Sequence, residues 1–363
     1  VFMSMVQMYL CQCMRLNFCD FALRWIENVC SYRSVSLPKA VIAMLRKHFY
    51  VQFIFLYNLI AVMSGFHSCL QSTNVCLEKC HKVKVLALDF DKTCTTKAIL
   101  DIYRARKDYN ENNKEFLDQK WEMILQYYSS IMEPILKPLK DSKPMATQFE
   151  GDGLRRFLAE VGNGDSQAID ELISSELLQG ITAKGLFDFA QDVELMPNVL
   201  TVLENLKTLN LPFHVISLNF SEKLIQYVLN RKNTLPIEIH TNRLAFENGT
   251  SNGIIDKKFV SAFDKEVQLE DIIENAGNSS GVTIYIGDSF TDILALLKAD
   301  IGIIIGESNS VFKVCNDFGI HVAALSEWSY ERINSKETKV LYSVSNWDDI
   351  QKFIFNGFKY GEF

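Results

Sequence analysis

The sequence predicts an α/β protein built on a doubly wound, mainly parallel sheet, with an α-helical cap domain inserted near its start. Three observations carry that expectation. Short apolar runs, rich in β-branched residues, recur from residue 83 onward with almost no internal alternation, as in parallel strands covered on both faces. Helical periods of apolar residues separate most of these runs. About 100 residues of mostly helical pattern interrupt the chain between the first two strands, enough for a separate unit.

The elements follow in order. VKVLAL (83–88) reads as the first strand, and it stops on Asp89 and Asp91 in VKVLALDFDKTCTT. Residues 97–195 hold the periods ILDIYRARK, KEFLDQKWEMILQYYSSIMEPIL, LRRFLAEV, AIDELISSELL and AKGLFDFAQDV, with breaks expected at Pro138, Pro144, Gly151, Gly153, Gly162 and Gly164. VLTVLENLKTL (199–209) is a helix, and FHVIS (213–217) the second strand. LAFENGTSNGII (244–255), with two Asn-Gly pairs, reads as a hairpin, and its Asn248-Gly-Thr250 acceptor pattern as incidental. TIYIG (283–287), the helix TDILALLKA (291–299), IGIIIG (301–306) and IHVAAL (320–325) complete the alternation. The division expected is an α/β core at 81–96 and 196–363, a helical cap at 97–195 and an N-terminal extension at 1–80.

Composition narrows the function. Among 363 residues, 48% are hydrophobic, so a sizeable core is available. Residues 1–82 carry eight basic and three acidic residues, which leaves 29 basic against 41 acidic beyond them. An acidic body excludes nucleic acid as the main partner. Seven of the nine cysteines precede residue 81, leaving only Cys94 and Cys315 in the larger part, the usage of a reduced intracellular enzyme. Cys11 and Cys13 have no second pair and no histidine at zinc-site spacing. Cytoplasmic placement is expected, with organelle or membrane association through the N-terminal segment as the alternative. FYVQFIFLYNLIAVMSGF (49–66) is uncharged over about the minimum length of a span. The reading taken is that residues 1–62 are an imprecise gene model or an unstructured extension, with the folded protein starting near Met63.

Two aspartates at the end of a buried strand need an explanation. On an extended segment Asp89 and Asp91 point the same way, and two unpaired carboxylates in one pocket cost several kcal/mol. A cation is therefore expected there, and Mg2+ suits hard oxygen ligands and phosphate. Asp288 follows the strand IYIG directly, Asp292 comes four residues later, Ser217 ends the second strand, and Lys265 in SAFDKEVQLEDII offers a fixed positive charge. Lys257 and Lys258 compete with Lys265, which is preferred because it opens a helical period one helix before Asp288.

Together these residues resemble the four motifs of the haloacid dehalogenase-like phosphatases: Asp89-x-Asp91-x-Thr93, Ser217, Lys265, and Gly287-Asp288-Ser289-x-x-Asp292. More narrowly, DFDKTCTT, YIGDSFTDILALLKADIGIIIG and LYSVSNWDDIQKFI are similar to the phosphatase domain of plant and fungal thiamin monophosphate phosphatases, without the thiaminase-like domain fused to it in many plants. The resemblance implies a phosphomonoesterase working through an aspartyl-phosphate. Asp89 is the nucleophile and Asp91 the acid and base; Thr93, Ser217 and Lys265 hold phosphate. Mg2+ lies on Asp89, Asp91 and Asp288, with Asp292 behind them. The substrate is a small phosphorylated metabolite, thiamin monophosphate first, with a nucleotide, phosphoserine or pyridoxal phosphate as alternatives and a silent scaffold as the reading from another class. Asn219 is expected to pack or cap, Trp121, Tyr127 and Tyr128 to be core, and Cys94 a buried filler.

Overall fold

The computed structural model describes residues 83–140, 152–208, 213–231, 237–277, 281–328 and 339–356, all within one compact unit, Val75–Phe363. The expectations for residues 1–80, including the late start and the apolar stretch 49–66, lie outside the described residues. Among the described residues no helix is long and apolar enough to cross a membrane.

The chain enters the sheet at Val83–Leu88 (β1). It then runs through Lys114–Lys140 (α1) and Gly153–Ser174 (α2), the short strand Gln179–Thr182 (β2) and Ala183–Gln191 (α3). Val199–Lys207 (α4), Phe213–Ile216 (β3), Glu222–Leu229 (α5) and Ile237–His240 (β4) return it to the sheet. A hairpin, Arg243–Glu247 (β5) and Thr250–Asp256 (β6), precedes Ala262–Asn275 (α6) and Val282–Gly287 (β7). Ile293–Lys298 (α7), Ile301–Ile305 (β8), Asn309–Asp317 (α8), His321–Ala324 (β9), Val340–Val344 (β10) and Trp347–Phe355 (α9) complete the unit.

The seven-stranded sheet has the order β4-β3-β1-β7-β8-β10-β9 and all its pairs are parallel. Alternation along each strand feeds two cores. Leu86, Leu88, Ile284 and Ile286 pack on one face, while Val85, Ala87 and Tyr285 pack on the other. This is the doubly wound arrangement that the continuous apolar runs predict. Strands β4 and β10 escape that pattern: β4 is a half-exposed edge strand with polar residues, and β10 is the short run VLYSV.

The insertion after β1 is largely helical, as expected, with one strand in addition. β2 pairs antiparallel with β6, so a second sheet, β2-β6-β5, joins the insertion to the hairpin. The hairpin turn falls at Asn248-Gly249, both in left-handed backbone (φ 49° and 83°). The second Asn-Gly pair lies inside β6.

Three expected breaks do not end helices. α1 continues through Pro134 and Pro138, and Pro138 is buried, so packing holds the last turns where a hydrogen bond is lost. Gly162 and Gly164 sit inside α2 because a Cβ there would come within 2.6 Å of Ser261 Cβ and 2.7 Å of Met132 Sδ. They permit close approach.

The last helix reaches back to the first loop. Trp347, at the start of α9, is buried, and its indole N–H donates to the Thr93 carbonyl at 2.8 Å. Trp347→Phe keeps most of the apolar contact and leaves that carbonyl unpaired, so the denaturation midpoint should fall by the equivalent of about 1–3 kcal/mol. An unchanged midpoint in a urea titration would mean that the bond adds nothing to stability.

Candidate active site

Parallel strands deliver their next residues to one edge, and here three neighbours, β3, β1 and β7, end in register. Leu88 pairs with Val215 on one side and Ile286 on the other. Asp89 extends the ladder by one bond, its N–H donating to the Ile286 carbonyl at 2.9 Å. Asp89, Ser217 and Asp288 therefore emerge side by side at the carboxyl edge of the sheet. This is the place where doubly wound sheets keep their ligands.

The chain does not stay extended through Asp91, contrary to the simple two-residue alternation. It leaves the strand at Leu88 and turns through residues 91–94, with Lys92 in left-handed backbone at φ 58°. Phe90 points into the core. Two hydrogen bonds then aim the Asp91 carboxylate: the Ile99 N–H donates to Oδ1 at 2.7 Å and the Asn219 amide to Oδ2 at 2.9 Å. Asn219, expected only to pack or cap, instead holds the Asp91 carboxylate. Cys94 is fully buried in the turn, the filler its size suggested.

Carboxylate oxygens of Asp89, Asp288 and Asp292 lie within 4.8 Å of one another. One buried ammonium stands among them. Lys265, in the first turns of α6, is 1% exposed and places Nζ 2.9 Å from Asp89 Oδ1 and 2.8 Å from Asp292 Oδ1. Burial alone would pull its pKa down, but Asp292 and Asp89 outweigh that and hold it firmly protonated. Lys257 instead pairs with Asp170, and Lys258 is exposed near Asp256, so neither competitor enters the cluster.

Asp292 is the best satisfied member. Its Oδ1 also accepts from the Tyr285 hydroxyl at 2.8 Å, and its Oδ2 from the Ser289 N–H and hydroxyl at 3.1 and 2.9 Å. Gly287 makes this possible, since a Cβ there would sit 2.4 Å from the Asp292 carboxyl carbon. Tyr285 carries no sequence signal of its own, whereas Ser289 belongs to the motif Gly287-Asp288-Ser289-x-x-Asp292. Asp89 differs: the approach of Lys265 to its Oδ1 is an ion pair without hydrogen-bond alignment, and that oxygen and the Thr93 hydroxyl are buried without a hydrogen-bond partner. Ser217 is buried, and its hydroxyl accepts from the Asn219 N–H at 3.2 Å.

The donor set suits a hard divalent cation. With one lysine against three clustered carboxylates, negative charge is left over. Burial, then the neighbouring carboxylates against Lys265, pushes Asp89 up to about 7; burial, Asp292 and Asp89 push Asp288 up to about 8. Burial also raises Asp91 to about 6 against its two hydrogen bonds. Asp89 and Asp288 are the carboxylates with oxygens to spare.

A cavity of about 250 Å3 opens beside the cluster. Leu218 and Thr291, the neighbours of Ser217 and Asp292, line it from the sheet side; Trp121, Tyr128 and Asp165 line it from α1 and α2. Trp121 and Tyr128 pack partly against the core, as expected, and also line this cavity, while Tyr127 is 39% exposed. The Tyr128 hydroxyl donates to Asp165 at 3.1 Å, and burial raises the Asp165 carboxyl to about 6.

In sequence the chain is 29% identical over 317 residues to the bifunctional TH2 protein, mitochondrial, of Arabidopsis thaliana, a match covering 78% of this chain and 51% of that protein. The chain thus spans about half the length of the curated relative it matches. Among solved structures it is similar to a phospho-aspartyl intermediate analogue of phosphoserine phosphatase, at 15% identity and a TM-score of 0.40 over 75% of this chain and 99% of that one. It is also similar to cytosolic 5′-nucleotidase IIIB bound to cytidine, at 15% identity and a TM-score of 0.44 over 79% and 89%. No family model matches the chain.

In the unfolded chain Asp89 and Asp288 titrate near the ordinary value of about 3.9. In the folded chain they hold protons up to about 7 and about 8, so folding takes up protons in between. Their contribution to stability is complete below about pH 4 and is lost as pH rises through 7 to 8. In chelator, the melting temperature should fall from pH 5 to pH 8, and an excess of divalent cation should restore it at pH 8 while changing little at pH 5. A melting temperature indifferent to both variables would contradict this electrostatic account.

Proposed function

We propose that this chain is a phosphomonoesterase that forms an aspartyl-phosphate on Asp89, uses Mg2+, and takes thiamin monophosphate as its substrate. The observation that carries the reading is one loop in which the buried Thr93 hydroxyl has no hydrogen-bond partner and the buried Asp89 Oδ1 has only the Lys265 ion pair. Buried polar atoms of that kind are uncommon in a folded chain and mark a place where a polar ligand completes the bonding.

Asp89 attacks phosphorus, and the bond from phosphorus to the ester oxygen breaks. Asp91, held by Asn219 and Ile99, delivers its proton to the departing oxygen, a task eased by a carboxyl raised to about 6. The Asp91 carboxylate then takes a proton from water as that water attacks phosphorus; the bond to Asp89 breaks, and inorganic phosphate leaves. Thr93, Ser217 and Lys265 offer donors to the phosphoryl oxygens, where a well-placed donor is worth roughly 3 to 4 kcal/mol. Lys265 also favours the ionised form of Asp89 against the effect of burial. Asp89, Asp288 and the backbone carbonyl of Asp91 would hold Mg2+, with Asp292 orienting Asp288 and Lys265 behind them. The ion supplies charge neutralisation between nucleophile and phosphate.

Residues 97–195 form the cap, and the cavity it shares with the sheet favours a phosphate ester with a cationic heteroaromatic ring, as in thiamin, over phosphoserine. Trp121 and Tyr128 present aromatic surface, and Asp165 presents a carboxyl that burial makes costly to ionise. A cationic heteroaromatic ring offsets that cost and suits the aromatic walls. Phosphoserine brings no such ring.

With Mg2+ present, a panel of phosphate esters should be hydrolysed with preference for thiamin monophosphate, and Asp89→Asn should lower kcat by about 10³-fold or more. Turnover unaffected by that substitution removes the covalent mechanism. Asp165→Asn should raise KM for thiamin monophosphate by roughly tenfold, about 1.4 kcal/mol, and leave p-nitrophenyl phosphate unchanged. Equal KM values for both esters in both proteins would remove the cationic substrate and leave the phosphatase reading intact.

A further inference from the structure

A second group of ligand-type side chains lies at the edge of the sheet, where β3 pairs with β4. The register sets His214 opposite Glu238, and His240 comes two residues after Glu238, so the pleat sends all three side chains to the same face. His214 is buried, His240 half-buried and Glu238 exposed. The group therefore spans from the protein interior to the open edge.

Its distances are specific. His214 Nδ1 stands 3.4 Å from His240 Nε2 and 3.4 Å from Glu238 Oε2, and the three ligand atoms all lie within 4.8 Å of one another. A separation of 3.4 Å is long for an N–H···N hydrogen bond, since protein bonds from N–H fall at about 2.7–3.2 Å. It equals the spacing of two ligands on a tetrahedral zinc ion, about 3.4 Å for metal–ligand bonds of about 2.0–2.1 Å. The imidazole rings, stacked with centroids 5.6 Å apart and 28° between planes, leave the ring nitrogens directed at one another's vicinity. Two histidines and a carboxylate, with a side open to water, form the donor set of three-ligand zinc sites.

We propose that His214, Glu238 and His240 bind a divalent transition-metal ion of the zinc class, with the remaining coordination position open to solvent. The donor mix separates this site from the carboxylate cluster: imidazole nitrogen selects borderline metals, and an all-oxygen set selects Mg2+. The site bridges two strands at an edge that nothing else in the sheet closes among the described residues. It also adjoins the catalytic edge, because the His240 carbonyl accepts the Ser217 N–H at 3.0 Å. A bound ion here ties the outer strand to the strand that carries Ser217.

The test uses the full chain in excess Mg2+, titrated with Co2+ and then with Zn2+. The cysteines before residue 81 contribute equally to every protein, so the readout is the difference between wild type and variant. Wild type should take up one more equivalent of Co2+ than His240→Gln or Glu238→Gln, with visible absorption of a tetrahedral nitrogen and oxygen site that Zn2+ abolishes. The same equivalent should raise the wild-type melting temperature and leave that of the variants unchanged. Glu238 is exposed, so Glu238→Gln keeps a folded comparison available even if a histidine variant fails to fold. Wild type and Glu238→Gln showing equal uptake, equal spectra and equal melting shifts would overturn the proposal.

Discussion

The carboxyl edge of this sheet is organised by one requirement, that negative charge brought to the ends of adjacent buried strands be neutralised. Lys265 meets part of it, as a fully enclosed ammonium between Asp89 and Asp292. Its position depends on α6, whose N-cap Ser261 accepts from the Asp264 N–H and whose first turn lies against Gly162 of α2. The cap segment and the charge cluster are thus fixed to the same short stretch of chain. A buried ion pair is weak evidence of stability by itself, since desolvation offsets most of the attraction. Its value here is one of placement: it leaves Asp89 ionisable and pointed outward from the sheet edge.

Much of this was legible in the sequence, for physical reasons. Continuous apolar runs locate β1, β3, β7 and β8 because a strand covered on both faces has no polar side to show. Asp89, Asp288 and Asp292 are legible because carboxylates at the end of such a run are too costly to be there without a counter-charge. The edge strand β4 is hidden for the converse reason, being half exposed and polar. β2 is hidden because four residues between two helices give no period to read. The partners that finish the site, Tyr285 on Asp292 and Asn219 on Asp91, depend on contacts made across the fold, and no local pattern encodes those.

The same limit applies to the cap. Spacing places Trp121 and Tyr128 on α1, but only the packing of α1 against α2 decides whether they face a neighbour or a void. They do both, packing partly on the core and lining a cavity with Asp165 across from them. An aromatic stripe and a buried acid, each ordinary alone, come to share one space. The small sheet β2-β6-β5 has a bearing on this, because it ties the insertion to a hairpin that follows β4. The cap is held at two places along the chain, not only through its connections to β1 and α4.

The bond from Trp347 to Thr93 joins residues 254 positions apart. During synthesis the loop after β1 leaves the ribosome well before its anchor is made, so contacts of this span close late and slowly. A nascent or prematurely terminated chain would carry every acidic residue of the cluster and still have an unsupported loop. Support of this edge therefore waits until the chain has been made as far as α9.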